Sequence, residues 1–216
     1  MKERKPNRLQ GYNYSSDNLY FVTSCVQNRI CCFGEIGVGT GRDLSLQTTD
    51  LPLQKTDLPP QNGNLSRPLS IRNDDQSVTS SVPQMILNEY GAIAEIQWFW
   101  LGEKYPYVVL HEFVVMPNHI HGIIEINRDI VRTGRDLSLP QPKIKPLSEL
   151  IGAYKTTVSK QIHILECRDR SRPVPTFAWQ RSFYEHIIRD EKTFETISDY
   201  IINNPVNWEQ DKLYNL

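Results

Sequence analysis

Two histidines two positions apart, His119 and His121, open an apolar stretch that runs His119-Ile-His-Gly-Ile-Ile-Glu-Ile126. In a strand, residues i and i+2 point to one face, so both imidazoles project from the same side of a sheet, as two adjacent metal ligands do. A histidine pair on a solvated strand face would read the same way. The flanks favour the ligand reading, because Val114 and Val115 precede a break at Pro117-Asn118 and the sequence becomes a strand, a tight corner and a second strand. Further along, Tyr200 and Asn204 are four apart in Tyr200-Ile-Ile-Asn-Asn-Pro205, on one helical face one turn above each other. A phenol and an amide oxygen so placed could meet the same metal, the tyrosine as nucleophile and the amide as third ligand. The alternative is a helix end in which Tyr200 packs and Asn203 or Asn204 caps before the proline. Tyr154 is a competing nucleophile, with Lys155 beside it. Four residues beyond it stands Val158 and no amide, so Tyr200 is preferred and Tyr154 reads as core or as a contact to the molecule acted on.

The elements that must carry these groups can be read in order. Leu19-Tyr-Phe-Val-Thr-Ser-Cys-Val26, rich in aromatic and β-branched residues, reads as a central strand. From Met85 to about Lys104, the residues Ile86, Tyr90, Ile93, Ile96, Phe99 and Trp100 fall near helical spacing, with Asn88, Glu89, Glu95 and Gln97 on the other face. Tyr107–Val115 is the next strand and the His-x-His strand follows. Residues 148–165 form a second amphipathic helix with Ser148 as its N-cap. Phe183–Ile188 is a fourth strand, and a last helix from about Lys192 to Asn203 is stopped by Pro205. The order β-α-β-β-α-β-α begins as a ferredoxin-like split β-α-β unit, an α+β fold with an antiparallel four-stranded sheet and two helices on one face. The histidines then start a strand next to the sheet's centre, with the last helix free to pack near them.

Three stretches, about 37–84, 127–146 and 166–176, read as insertions in a single domain spanning 1–216. The first is dominated by Gly, Ser, Thr, Pro, Asn, Asp and Gln, lacks aromatics, and is expected to be disordered. Thr40-Gly-Arg-Asp-Leu-Ser-Leu46 recurs word for word as Thr133–Leu139, with looser echoes in Asn64-Leu-Ser-Arg-Pro68 and Arg168-Asp-Arg-Ser-Arg-Pro173. The copies are too far apart for a solenoid period and fall in loops, which tolerate inserts at small cost. Written as ACA-GGT-CGT-GAC-CTG-TCT, the Thr-Gly-Arg-Asp-Leu-Ser peptide is compatible with a near-perfect DNA palindrome. The inserts therefore read as translated copies of a mobile palindromic repeat.

Totals bound the rest. A length of 216 residues suffices for one domain with a core. A net charge of −1 means that any nucleic-acid site must be a local patch. The four cysteines, Cys25, Cys31, Cys32 and Cys167, match neither a zinc spacing nor a disulfide framework, which suits the cytoplasm. Neither a signal peptide nor a run of transmembrane length is visible, so a membrane partner is not expected. The basic residues among 1–10 form an arm that touches phosphate or is merely solvated. Lys143, Lys145, Lys155 and Lys160 offer a basic approach along the second helix to a nucleic-acid backbone, or a solvated face. Trp179, Gln180 and Arg181 could stack on and contact unpaired bases, with packing the alternative for Trp179.

Together, Met116-Pro-Asn-His-Ile-His-Gly122, Trp179-Gln-Arg-Ser-Phe-Tyr-Glu-His-Ile-Ile-Arg-Asp-Glu191 and Tyr200-Ile-Ile-Asn-Asn-Pro205 resemble the single-tyrosine HUH transposases. The branch they resemble is the REP-associated tyrosine transposases, as do Gly11-Tyr12 and Asn88-Glu-Tyr-Gly-Ala-Ile-Ala94. The resemblance covers nearly all the chain outside the insertions. It implies that His119 and His121 are the HUH histidines, that Tyr200 is the attacking tyrosine and that Asn204 stands at the third ligand position. Family members bind folded single-stranded DNA from palindromic repeats and cut beside the hairpin. The expected activity is metal-dependent single-stranded DNA cleavage and strand transfer through a 5′-phosphotyrosine, with hairpin DNA as partner, by a monomer or homodimer. Imidazole with an amide oxygen suits Mn²⁺, and Mg²⁺ follows from the resemblance. The competing expectations are a hairpin-binding module of the same fold that does not cut, and an insertion-loaded product without activity.

Overall fold

The computed structural model of the protein describes residues 11–38, 82–130, 143–168 and 177–214. The elements are β1 (Asn18–Cys25), β2 (Gly34–Val38), β3 (Pro83–Leu87), α1 (Glu89–Lys104), β4 (Val108–Met116), β5 (His119–Ile126), α2 (Leu147–Arg168), β6 (Tyr184–Ile188) and α3 (Glu191–Asn203). Two short 3₁₀ turns, Gln27–Arg29 and Trp208–Gln210, complete the list. Four strands form one sheet in the order β4-β5-β1-β6, and its paired strands run antiparallel. With β2 and β3 set aside, the order is that of a ferredoxin-like β-α-β-β-α-β unit, as the sequence predicts. No helix among the described residues is long and apolar enough to cross a membrane.

The sheet is covered on both faces, which explains why β5 is apolar on both. Tyr20, Val22, Ile120 and Ile124 belong to the larger core with Ala94, Trp98 and Leu101 of α1 and Leu150, Ile151, Tyr154 and Val158 of α2. Phe21 and Ile123, one residue out of phase and hence on the opposite face, pack with Ile188 and with Phe194, Ile197 and Ile201 of α3. His119 and His121 share the parity of Ile123 and lie on the α3 face. On the other face Trp98 stacks on Phe113 at 4.4 Å between ring centroids, and a Cβ at Gly122 would run into the Trp98 ring. Glycine at 122 therefore admits the largest buried side chain of the core directly behind the two histidines.

Four local expectations are corrected. Met85, Ile86 and Leu87 are strand, not helix, and β2 with β3 makes a two-stranded sheet that overlaps both ends of the first insertion as assigned. Gly34, at φ +137°, lies against the Ile86 carbonyl, an approach that requires glycine. Asn88 is not on the polar face of α1 but is its N-cap: its side-chain oxygen accepts from the backbone N–H of Tyr90 and of Gly91, each at 3.0 Å. The inward face of α1 is Gly91, Ala94, Trp98 and Leu101, whereas Ile96 and Phe99 are exposed. The spacing tracked large apolar residues, whereas the inner face combines the small Gly91 and Ala94 with Trp98 and Leu101, and Gly91 lies against the Phe33 carbonyl. Ser148 is inside α2, which starts at Leu147, where Pro146 supplies the carbonyl that accepts from Glu149 and Leu150. At the other insertions α2 runs through Glu166 and Cys167, while Arg128 is held by Asp17 at 2.9 Å. The repeated peptides at 40–46 and 133–139 and the basic arm at 1–10 lie outside the described residues.

Candidate active site

The corner at Pro117-Asn118 is fixed entirely by hydrogen bonds. The Asn118 carbonyl accepts from Val26 N at 2.8 Å, and the Pro117 carbonyl accepts from Cys32 N and Phe33 N. The Asn118 amide donates to the Arg29 carbonyl at 3.3 Å and the Leu213 carbonyl at 2.9 Å. That orients its Oδ1 toward His119 Nδ1 at 2.7 Å. Because an amide oxygen only accepts, His119 carries its proton on Nδ1 and presents a bare Nε2. On the neighbouring strand Thr23, register partner of His121, places its Oγ1 at 2.8 Å from His121 Nδ1. The two Nε2 atoms converge to 3.0 Å. Burial drives the His119 pKa down to about 4, against the pull of Asp211, and burial together with His119 holds His121 well below the ordinary value. Both rings are thus neutral, the form that binds metal.

Tyr200 comes to this pair from α3. Its hydroxyl is 3.1 Å from His121 Nε2, and its ring stands edge-on to His121 at 5.1 Å between centroids. The hydroxyl donates to Asp211 Oδ2 at 3.0 Å. Partial burial, then the charge and hydrogen bond of Asp211, raise the pKa of the phenol. Asn204, one turn on, is buried. Its amide donates to the same Asp211 Oδ2 at 2.9 Å, and its Oδ1 is buried without a hydrogen-bond partner among the described residues.

Asp211 is the residue that sequence reasoning missed. It ends the 3₁₀ turn Trp208–Gln210, whose Trp208 packs on His119 at 5.8 Å. Burial works against its charge, but hydrogen bonds from Asn204, Leu213 N and Tyr200, with His119 nearby, hold its pKa below the ordinary value. One donor atom each from His119, His121 and Asp211 lies within 4.8 Å of the others. Two converging imidazole Nε2 atoms, a carboxylate and an orphaned amide oxygen are a donor set that fits a divalent cation. In sequence, Asp211 stands beyond the proline that ends α3, so no helical or strand spacing ties it to the histidines.

The other residues singled out in the sequence are distributed differently. Tyr154 is wholly buried, and its hydroxyl donates to the Ala94 carbonyl at 3.1 Å; it belongs to the core. Trp179 bridges to Val26 and packs with Phe33 at 5.4 Å and Phe177 at 5.3 Å, while Gln180 N donates to the Cys25 carbonyl. Arg181 is exposed. Lys155 is not a free basic group: its Nζ donates to the carbonyls of Gln180 and Ser182, both at 2.9 Å, and burial lowers its pKa to about 8. Lys143 and Lys160 are exposed, and Lys145 lies 3.9 Å from Glu149. Helix α2 packs on the sheet face opposite the histidines, so its lysines are not gathered around Tyr200.

No family model matches the chain. An uncharacterized protein of Haemophilus influenzae is 33% identical over 221 aligned residues, covering 98% of this chain and 93% of that protein. A second Haemophilus influenzae protein, named "putative REP-associated tyrosine transposase", is 30% identical over 109 residues, which span 48% of this chain and 52% of the relative, about half its length. A solved structure of a REP-associated tyrosine transposase bound to a REP hairpin aligns with 95% of this chain and 76% of its own at 17% identity, with a TM-score of 0.46. In sequence, the chain resembles the REP-associated tyrosine transposases, the family that its motifs single out.

Proposed function

We propose that the chain is a transposase-like enzyme that cuts and rejoins single-stranded DNA beside a palindromic hairpin through a covalent 5′-phosphotyrosine. The observation that carries this reading is the hydroxyl of Tyr200 at 3.1 Å from His121 Nε2, on a pair of neutral histidines whose Nε2 atoms converge. His119, His121 and Asp211, with the Asn204 oxygen beside them, are the residues that would hold Mn²⁺ or Mg²⁺. Such an ion supplies Lewis-acid polarisation of a phosphoryl oxygen. Asn118 holds His119 with its proton on Nδ1 and Nε2 free to ligate, and Thr23 fixes the orientation of the His121 ring. Tyr200 forms the Oη–P bond as the P–O3′ bond breaks, and the departing 3′-oxygen takes a proton from solvent, leaving a free 3′-hydroxyl and a 5′-phosphotyrosine. Asp211 Oδ2, already the acceptor of the Tyr200 hydroxyl, is the group placed to receive the phenolic proton. A phosphodiester is exchanged for a phosphodiester, so an incoming 3′-hydroxyl reverses the step and rejoins a strand.

The test is incubation with a 5′- or 3′-labelled hairpin oligonucleotide carrying single-stranded flanks, with Mn²⁺ or with EDTA, followed by a denaturing gel. A metal-dependent band of covalent protein–DNA adduct is expected. Binding of the hairpin with no adduct and no cut strand would replace this reading by that of a recognition module.

A further inference from the structure

Beside the corner that carries His119 lies a second concave site of about 670 Å³. Its walls are two loop segments: Gln27, Asn28 and Arg29 on one side, Trp179, Gln180 and Arg181 on the other. The segments are tied to each other by Gln27 N donating to the Ala178 carbonyl at 2.8 Å, Gln180 N donating to the Cys25 carbonyl at 2.9 Å, and the Val26–Trp179 bridge. Beneath them Lys155 holds the carbonyls of Gln180 and Ser182. The walls are built at a backbone cost. Asn28 and Arg29 are consecutive non-glycine residues in the left-handed region, at φ 58° and 54°, a conformation that Asn tolerates and Arg does not favour. Strain of this kind persists where the surroundings over-determine it, and it clusters at ligand clamps.

The chemistry of the lining is specific. Three primary amides, those of Gln27, Asn28 and Gln180, each donate and accept, which is what reading the edge of a base requires. Arg181 and Arg29, whose Nη1 also donates to the Lys212 carbonyl at 3.3 Å, are the charged side chains of the lining and both are cationic, so an anion is favoured beside the amides. The Trp179 indole forms part of the wall, and its N–H is buried with no partner among the described residues. The place is specific too. Asn118 links the pocket to the metal-ligating pair in one residue: its amide donates to the Arg29 carbonyl and its oxygen accepts from His119.

We propose that this cavity is a nucleobase-reading pocket, which takes one unpaired nucleotide of the strand flanking the scissile phosphate. The three amides read the base edge, and Arg29 and Arg181 meet the adjoining phosphates. The inference rests on the DNA-processing reading above and adds to it the residues that choose the cleavage position. Specificity then comes from a pocket one residue away from the ligating histidines, separate from any contact to the hairpin stem.

The test uses the full chain and hairpin oligonucleotides whose single-stranded flanks carry each of the four bases at each position in turn. Affinity is measured by titration. Wild type is expected to prefer one base at one flank position by on the order of tenfold, the range of a good amide–base contact. Asn28→Gly, which keeps the left-handed backbone, and Gln180→Ala, whose main-chain bond to Cys25 survives, are each expected to flatten that preference. Their affinity for a hairpin lacking the flank should match wild type, and their melting temperatures should report an intact fold. Equal affinity of wild type for all four bases at every position would overturn the pocket, as would an undiminished preference in both variants. If wild type bound no hairpin, the transposase-like reading would fall. The same titration with unpaired oligonucleotides would then decide the pocket by the same two criteria.

Discussion

The hydroxyl of Tyr200 donates to Asp211 at 3.0 Å, while His121 stands 3.1 Å from the same oxygen. Asp211 also accepts from Asn204 at 2.9 Å. One carboxylate thus orders both residues of the Tyr200/Asn204 pair. Asp211→Asn should therefore lose the acceptor for the phenolic proton and the negative member of the donor set together. The expected result is an adduct yield lower by at least about tenfold, together with a weaker Mn²⁺-induced rise in melting temperature. An unchanged rise with Asp211→Asn would assign the third ligand to Asn204 instead, and Asn204→Ala would then abolish it.

Tyr200→Phe should abolish covalent attachment while leaving hairpin binding within about twofold, because only one hydroxyl is removed from a side chain that is nearly half exposed. Tyr154→Phe should cost stability and not adduct formation, since its hydroxyl is spent on the Ala94 carbonyl inside the core. A buried hydrogen bond of that kind contributes about 1 kcal/mol. An adduct that survives in Tyr200→Phe and disappears in Tyr154→Phe would reverse the assignment.

His119→Ala and His121→Ala should each remove the metal-dependent rise in melting temperature that ligand linkage gives wild type. Equal rises in all three proteins would argue against the site. Without metal, the same histidines make the fold acid-sensitive. The pKa of His119 in the folded chain is about 4 against an ordinary 6.5, so between those values the unfolded chain binds the extra proton. Stability should then be full above pH 6.5 and fall as the pH drops toward 4, by roughly 3 kcal/mol for a shift of that size. A pH titration of urea midpoints in EDTA measures this, and a flat profile across that window would contradict it.

The parts of this arrangement that the sequence revealed are those governed by a period. His119 and His121 share a face because strands repeat every two residues, and Tyr200 and Asn204 share one because helices nearly repeat every four. The four sheet strands, α2 and α3 carry strong apolar patterns and were visible for the same reason. Asp211 obeys no period relative to any of these; it arrives by a turn after Pro205, held at the site by the packing of Trp208 on His119 and by hydrogen bonds from Tyr200 and Asn204. The start of α1 was hidden by strand residues Met85–Leu87 whose spacing continues into the helix, and its inner face by the small residues Gly91 and Ala94.

Gly122→Val should destabilise the protein by about 1–3 kcal/mol, the usual range for an overpacked core. A Cβ at 122 meets the Trp98 ring, which cannot retreat because it is stacked on Phe113 and set edge-on to Tyr154. Since Gly122 adjoins His121 on β5, the strain should also weaken the Mn²⁺-induced shift. Trp98→Leu combined with Gly122→Val should recover part of the lost stability. A chemical-denaturation series in which the double variant is no more stable than Gly122→Val would refute the packing argument.

The repeated Thr-Gly-Arg-Asp-Leu-Ser segments should be dispensable. They recur at two distant places in the sequence, and their codons are compatible with an inverted repeat, as expected for translated copies of a mobile palindrome. The structure sharpens where a deletion must stop. Gly34 and Gly37 lie against Ile86, so the β2–β3 pair has to be kept and only residues 39–81 replaced, by a short Gly/Ser linker. Loop shortening changes closure entropy only modestly, so the shortened chain should melt within a few degrees of the full chain and form the Tyr200 adduct at a similar rate. Loss of the fold in that chain would show that the segment contributes to the core. A coding sequence whose codons at 40–45 and 133–138 form no inverted repeat would dispose of the palindrome on its own, whatever the shortened chain does.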